Sequence, residues 1–170
     1  MARVSPGDGP LIELVSDERS IAAARALVRE HFDAHSEAHT PAQIDSVIER
    51  LPAPYVPPAG GLWIAWIDGE AEGCVALQPL SPGMCEMKRM YVRPASRGKG
   101  IARALGLHVI NEARARGYER LRLGTLTTMQ PAQNLYSSLG FLPIAPYRNE
   151  EFGTTVFYEL DLTNTSETGT

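Results

Sequence analysis

Apolar residues recur along this chain with two different periods, and the switch between them divides it into strands and helices. Leu11 to Val15 alternates and is predicted to be a first strand. From Ser20 to His35 the apolar positions Ile21, Ala24, Leu27, Val28 and Phe32 fall three and four apart. That spacing predicts an amphipathic helix, with Ser16 or Asp17 as its cap. A second, shorter helix is predicted from a Thr40 cap with Pro41 in its first turn, carrying Ile44, Val47, Ile48 and Leu51 on one face; Pro52 stops it. The stretch 51–61 is too proline-rich for a regular element and reads as a loop, of a length that is often functional.

The middle of the chain reads as a three-stranded meander. Leu62 to Ile67 is a strand, Asp68-Gly69 a tight hairpin, and Glu72 to Leu80 returns antiparallel. Ser81-Pro82-Gly83 then turns into a third strand over 85–92. Its apolar positions Met87, Met90 and Val92 break strict alternation. One extra residue between 87 and 90, a β-bulge, would turn all three toward the core.

Arg93-Pro94 ends this strand, and Arg97-Gly98-Lys99-Gly100 leads into a helical period beginning at Ile101. Free backbone N–H groups at a helix N-terminus, with cations beside them, suit a phosphate or pyrophosphate. The helix carries Ala104, Leu105, His108, Val109 and Ala113 on its apolar side, and Gly117-Tyr118 caps its C-terminus. Arg120 to Leu126 is the next strand, reached by a right-handed crossover and therefore parallel to the strand at 85–92. Gln130-Pro131 opens a last helix with Ala132, Leu135 and Leu139 as its core face, and Thr155 to Leu162 is a final strand.

With 170 residues the chain is read as one domain over 10–162, with a Gly/Pro/Ser-rich disordered leader at 1–9 and a polar tail at 163–170. No apolar run is long enough to span a bilayer, and the first residues lack the apolar core of a secretory signal, so the expected compartment is the cytoplasm. A net charge of −4 argues against a nucleic-acid partner. Lys88, Arg89, Arg93, Arg97, Lys99 and Arg103 are nevertheless dense enough to form one positive patch on this acidic body. The absence of GxxxxGK[ST] removes a nucleotide-triphosphate binder. Cys74 and Cys85 lack zinc spacing and read as reduced core thiols that do not face each other across the hairpin. His31, His35 and His39 lack the acidic partner of a metal-binding helix motif and read as exposed or substrate-side histidines; no metal is expected.

The run Arg97-Gly98-Lys99-Gly100-Ile101-Ala102, preceded by Tyr91-Val92-Arg93-Pro94 and followed by Leu135-Tyr136-Ser-Ser-Leu-Gly140-Phe141, resembles the signature of the GCN5-related N-acetyltransferases, the GNAT superfamily, most of all its bacterial small-molecule branch. The resemblance implies an α/β (α+β) fold: a mixed, mostly antiparallel sheet splayed between its central strands, with helices on both faces. It implies acetyl-CoA as co-substrate, its pantetheine arm along the strand at Met90, Tyr91 and Val92 and its pyrophosphate over Arg97, Gly98, Lys99, Gly100, Ile101 and Ala102. Similar proteins are often homodimers. The family's asparagine seven positions before Tyr136 is here Met129, and Asn134 lies on another helical face.

Acetyl transfer to an amine needs a base, an oxyanion donor and a proton for the leaving thiolate. Glu86 is the candidate base; its other reading is a strand-surface carboxylate paired with Lys88 or Arg89. By resemblance the Met90 N–H is the oxyanion donor and Tyr136 the acid, where helical spacing beside Leu135 and Leu139 alone reads Tyr136 as a buried aromatic. A small-molecule amine acceptor is expected between the first two helices, the loop at 52–58 and the segment 146–150, where Arg148 would hold a carboxylate and Glu150 or Glu151 an amine. The competing reading is a non-catalytic acyl-CoA-binding module of the same fold.

Overall fold

A computed structural model describes residues 9–35, 39–148 and 155–164. The strands are β1 (Leu11–Leu14), β2 (Gly61–Ile67), β3 (Glu70–Ser81), β4 (Met84–Val92), β5 (Arg120–Leu126), β6 (Leu142–Ile144) and β7 (Thr155–Asp161). The helices are α1 (Glu18–Asp33), α2 (Pro41–Arg50), α3 (Ile101–Ala115) and α4 (Gln130–Ser138). Together the strands form one sheet in the order β1-β2-β3-β4-β5-β7-β6, antiparallel throughout except for β4 against β5.

Local chemistry explains most of the element ends. Asp17 caps α1 by accepting from the Ser20 N–H at 2.8 Å while Ser20 Oγ accepts from the Asp17 N–H. Thr40 and Gln43 repeat the same reciprocal box at α2. Asp68 and Gly69, at φ +50° and +80°, make the two-residue turn between β2 and β3, with Ile67 opposite Glu70. Gly117, at φ +82°, lets the Tyr118 N–H return to the Ala113 carbonyl and ends α3. The short strand β6, with proline as its middle residue, has no counterpart among the predicted elements. Three residues carry too little periodicity to register, and β6 exists through its pairing with β7 at the sheet edge.

Strand alternation sends side chains into two cores, one on each face of the sheet. Leu62, Ile64, Trp66, Cys74, Ala76 and Tyr91 pack against α1 and α2. Trp63, Ala65, Val75, Leu77, Cys85, Met87, Val92, Leu121 and Leu123 pack with Ile101, Leu105 and Val109 of α3 and with Tyr136 and Leu139. Cys85, Met87 and Val92 share a face although 87 and 92 differ in parity. The pairing explains it: Ala76 faces Lys88 and Cys74 faces Tyr91, so three steps on β4 match two on β3. The extra residue is the predicted bulge, and Arg89 takes the left-handed conformation there, at φ +56°.

Cys74 and Cys85 are free, buried and in different registers. Of the leader at 1–9 only Gly9, and of the tail only Thr163 and Asn164, are among the described residues. No helix among those residues is long and apolar enough to cross a membrane.

Candidate active site

The bulge opens the sheet. β4 pairs with β5 only where Met84, Cys85 and Glu86 face Arg120, Leu121 and Arg122. Past that point β4 stays with β3 and β5 stays with β7, so their facing edges part. Backbone donors and acceptors along this gap await a ligand that can pair like a strand. The peptide joining Arg89 to Met90 has a particular orientation within it. The Cys74 thiol donates to the Arg89 carbonyl at 3.2 Å, which fixes that oxygen toward β3. In a trans peptide the following N–H points the opposite way, so the Met90 N–H is directed away from Cys74, toward the gap. Burial pushes the Cys74 thiol up to about 12, which keeps it a donor at any physiological pH. The sequence marked Cys74 only as core; its place opposite a bulge was the available signal.

At the end of β4 the chain turns through a single 3₁₀ turn at Pro94–Ser96 into α3. Ser96 is buried and donates to Glu72 at 2.7 Å, and the Arg93 N–H bonds the Glu72 carbonyl at 2.9 Å, so the turn is pinned to β3. Gly98 and Gly100 sit at φ +78° and +82°, with Gly100 as the left-handed cap of α3. A Cβ at either would meet nothing within 4 Å, so glycine is needed for backbone conformation and the cradle is open above. Among the described residues, no backbone or side-chain acceptor meets the N–H groups of Gly98, Lys99, Gly100, Ile101 or Ala102. An anion with several oxygens fits this cradle.

The six cations expected as one patch are in fact divided. Lys88 lies 3.9 Å from Glu86, and Arg89 donates to the Tyr55 hydroxyl at 3.1 Å while standing over the Phe32 ring, both on the α1 side. Arg93 pairs with Glu30. Arg97, Lys99 and Arg103 remain around the glycine turn, Arg97 bonding the Val92 carbonyl and Arg103 the Ser138 hydroxyl. The bulge and the turn send neighbouring side chains to opposite faces, which a linear run of charges does not disclose. Tyr91, for the same reason, carries its backbone toward β3 and its ring to α1, where it stacks on His31 with centroids 5.6 Å apart. Burial, with further repulsion from His35 and the Arg89 guanidinium, lowers His31 to about 4.

Glu86 is the most deeply placed charge on the described chain, fully buried on the face opposite Met87. A buried carboxylate must be hydrogen-bonded, and this one is clasped from several sides. Gln78, its register partner on β3, donates to Oε1 at 3.0 Å, and Lys88 is the ion-pair partner of the same oxygen. The segment after β6 supplies the rest: the Tyr147 hydroxyl donates to Oε2 at 2.5 Å, and Arg148 forms a direct ion pair with Oε2. Burial and the neighbouring carboxylate hold the Tyr147 phenol above the ordinary tyrosine range, so it remains a donor. The surface-carboxylate alternative is thereby corrected. Lys88 is a partner, Arg89 is turned away, and the strongest partners lie about sixty residues along the chain. Arg148 stands where a substrate carboxylate was expected, already paired with Glu86; Glu150 and Glu151 lie outside the described residues.

Tyr136 lies on the other face, buried within α4 against Phe141 and Tyr158 at centroid distances of 5.8 and 6.5 Å. Burial raises its phenol well above the usual range, so it holds its proton. Met129 forms the N-terminal cap of α4 without a side-chain bond, and Asn134 is taken by Gln130 at 2.9 Å. Among the described residues no cluster of three or more His, Cys, Asp or Glu could hold a metal.

The sheet is thus parted beside a glycine turn at a helix N-terminus. Residues 21–141 match the acetyltransferase (GNAT) family, and the chain belongs to it. An uncharacterized N-acetyltransferase of Schizosaccharomyces pombe is 36% identical over 140 residues, 81% of this chain and 86% of that protein. N-acetylaspartate synthetase of Homo sapiens is 41% identical over 86 residues, 50% of this chain and 28% of that protein. In fold, the structure of YncA from Salmonella typhimurium with its cofactor acetyl-CoA matches with a TM-score of 0.73 at 22% identity, covering 95% of this chain and 99% of that one.

Proposed function

We propose that the protein transfers an acetyl group from acetyl-CoA to a primary amine of a small molecule, an amino acid or a related amine, by direct attack in a ternary complex. The observation that carries this reading is the bulge at Arg89 beside the parted strands, with Glu86 buried on the same strand. Acetyl-CoA supplies the activated carbonyl; its binding to the open turn at Gly98–Ala102 is supported by the family and by the YncA complex.

Each residue then has a distinct task. Glu86 takes a proton from the substrate ammonium, breaking N–H and forming O–H, so that nitrogen can attack. The Met90 N–H stabilises the oxygen that becomes negative as C–N forms. Tyr136, held protonated by burial, gives a proton to the sulfur as C–S breaks and regains one as the attacking nitrogen sheds its second proton to form the amide. The relation to N-acetylaspartate synthetase supports an amino acid among the acceptors.

The competing reading, a non-catalytic acyl-CoA-binding module, is favoured by Met129 in place of the family's asparagine. Free thiol released from acetyl-CoA, measured across a panel of amines and amino acids, separates the two. Turnover with at least one amine is expected; cofactor binding without thiol release for any of them would establish the module.

A further inference from the structure

The clasp on Glu86 describes its own ligand. Arg148 and Glu86 are in direct contact, so a molecule that enters between them must present a positive and a negative group on neighbouring atoms, in the opposite order. An α-amino acid carries its ammonium and its carboxylate on one carbon. We propose that the Glu86–Arg148 pair is a template for an α-amino acid zwitterion, and that Arg148 is the specificity-determining residue. On binding, the substrate carboxylate replaces Glu86 on the guanidinium, and the substrate ammonium takes the place of the guanidinium at Glu86. This rests on the acetyltransferase reading and narrows its acceptor.

Three features besides the pair point the same way. Arg148 lies against Gly124, where a Cβ would come within 3.2 Å of Nη2; the missing side chain lets the guanidinium lie on β5 just past Arg122, the last residue of β5 to pair with β4. The guanidinium stands over the rings of Tyr147 and Phe157 at 5.4 and 5.7 Å, which holds its plane for two-point contact with a carboxylate. Among the described residues, two acids on this face, Glu86 and Glu159, are each met by two cations. Lys88 and Arg148 converge on Glu86, Arg120 and Arg122 share Glu159, and the next acid along, Asp161, is exposed and bonded to Thr163. When Arg148 turns to the substrate, Gln78 and Tyr147 still hold Glu86 in place. An amine without a carboxylate leaves the pair closed.

The test pairs each common L-amino acid with the amine left by removing its carboxylate, and measures kcat/KM for thiol release by the wild-type chain and by Arg148→Met and Arg148→Lys. Expected for the best pair is a preference for the amino acid of about 100-fold or more in the wild type. In Arg148→Met that ratio should collapse to below about fivefold, with Arg148→Lys between them, because a lysine keeps the charge and loses the fork. Stabilisation of each variant by acetyl-CoA alone reports an intact fold and cofactor site. A wild type without carboxylate preference, or a ratio unmoved in Arg148→Met, overturns the proposal. Should no amine be acetylated, the function above fails by itself. The template is then decided by melting-temperature shifts with CoA present, where stabilisation by the amino acid but not by its amine, lost in Arg148→Met, supports it and equal shifts overturn it.

Discussion

The two halves of the proposed site are built on opposite plans. The proposed cofactor half is contiguous: Arg97 to Ala102 supply the turn, both left-handed glycines and the opening of α3, and what it offers a ligand is backbone N–H groups. The acceptor half is assembled from distance. Gln78, Glu86, Tyr147 and Arg148 come from two neighbouring strands and from the segment after β6, and side chains do all of it. A backbone cradle is contiguous and readable as a short motif; a side-chain clasp gathered from distant segments has no motif. Between them lies Met90, directly after the Arg89 carbonyl that the Cys74 thiol bonds across the hairpin.

Substitutions can break this contrast in graded ways. The largest effect is expected for Tyr136→Phe, which removes one hydroxyl from the apolar face: turnover should fall about 100-fold or more while acetyl-CoA affinity stays within about twofold, by steady-state rates and calorimetry. Unchanged turnover at saturating substrate would remove Tyr136 from the chemistry. Glu86→Gln should cost about 100-fold in kcat/KM at acidic pH, with a smaller loss as pH rises and the amine deprotonates itself. A mutant-to-wild-type ratio that is flat with pH would count against a base.

Gly100→Ala tests the contiguous half. A Cβ at φ +82° costs about 1–2 kcal/mol of backbone strain, and the acetyl-CoA dissociation constant should rise about tenfold. Gly117→Ala is its control at the other end of the same helix, with the same φ and equally open space. It should lose similar stability in urea and no cofactor affinity; equal affinity loss in both would mean that helix stability, not the cradle, is being measured. The smallest effect is expected at the junction. Cys74→Ala leaves the part-buried Arg89 carbonyl without its thiol, for a stability loss of about 1 kcal/mol and a several-fold drop in kcat. Cys74→Ser, which keeps a donor, should restore most of the turnover; failure to do so would detach the Met90 orientation from this hydrogen bond.

Much of the architecture was legible because it is local. The periodicities of α1 and α2, the Asp68-Gly69 hairpin and the Gly117 cap each depend on residues within a few positions of one another. The bulge was readable too, since Met87, Met90 and Val92 could share a face only with one extra residue between them. β6 was not, being three residues that pair only once β7 is in place. The charge run from Lys88 to Arg103 misled for a related reason: the bulge turned Lys88 and Arg89 to one side and the glycine turn kept Arg97 and Lys99 on another.

What the amino-acid sequence determined by itself, then, is the order of elements other than β6, the bulge and the glycine turn before α3, because short-range sterics and hydrophobic alternation decide them. Only the tertiary structure decided the state of Glu86. Its burial, and its partners Tyr147 and Arg148, follow from β4, β5 and β7 packing side by side, and a carboxylate deprived of water takes whatever donors that packing brings to it.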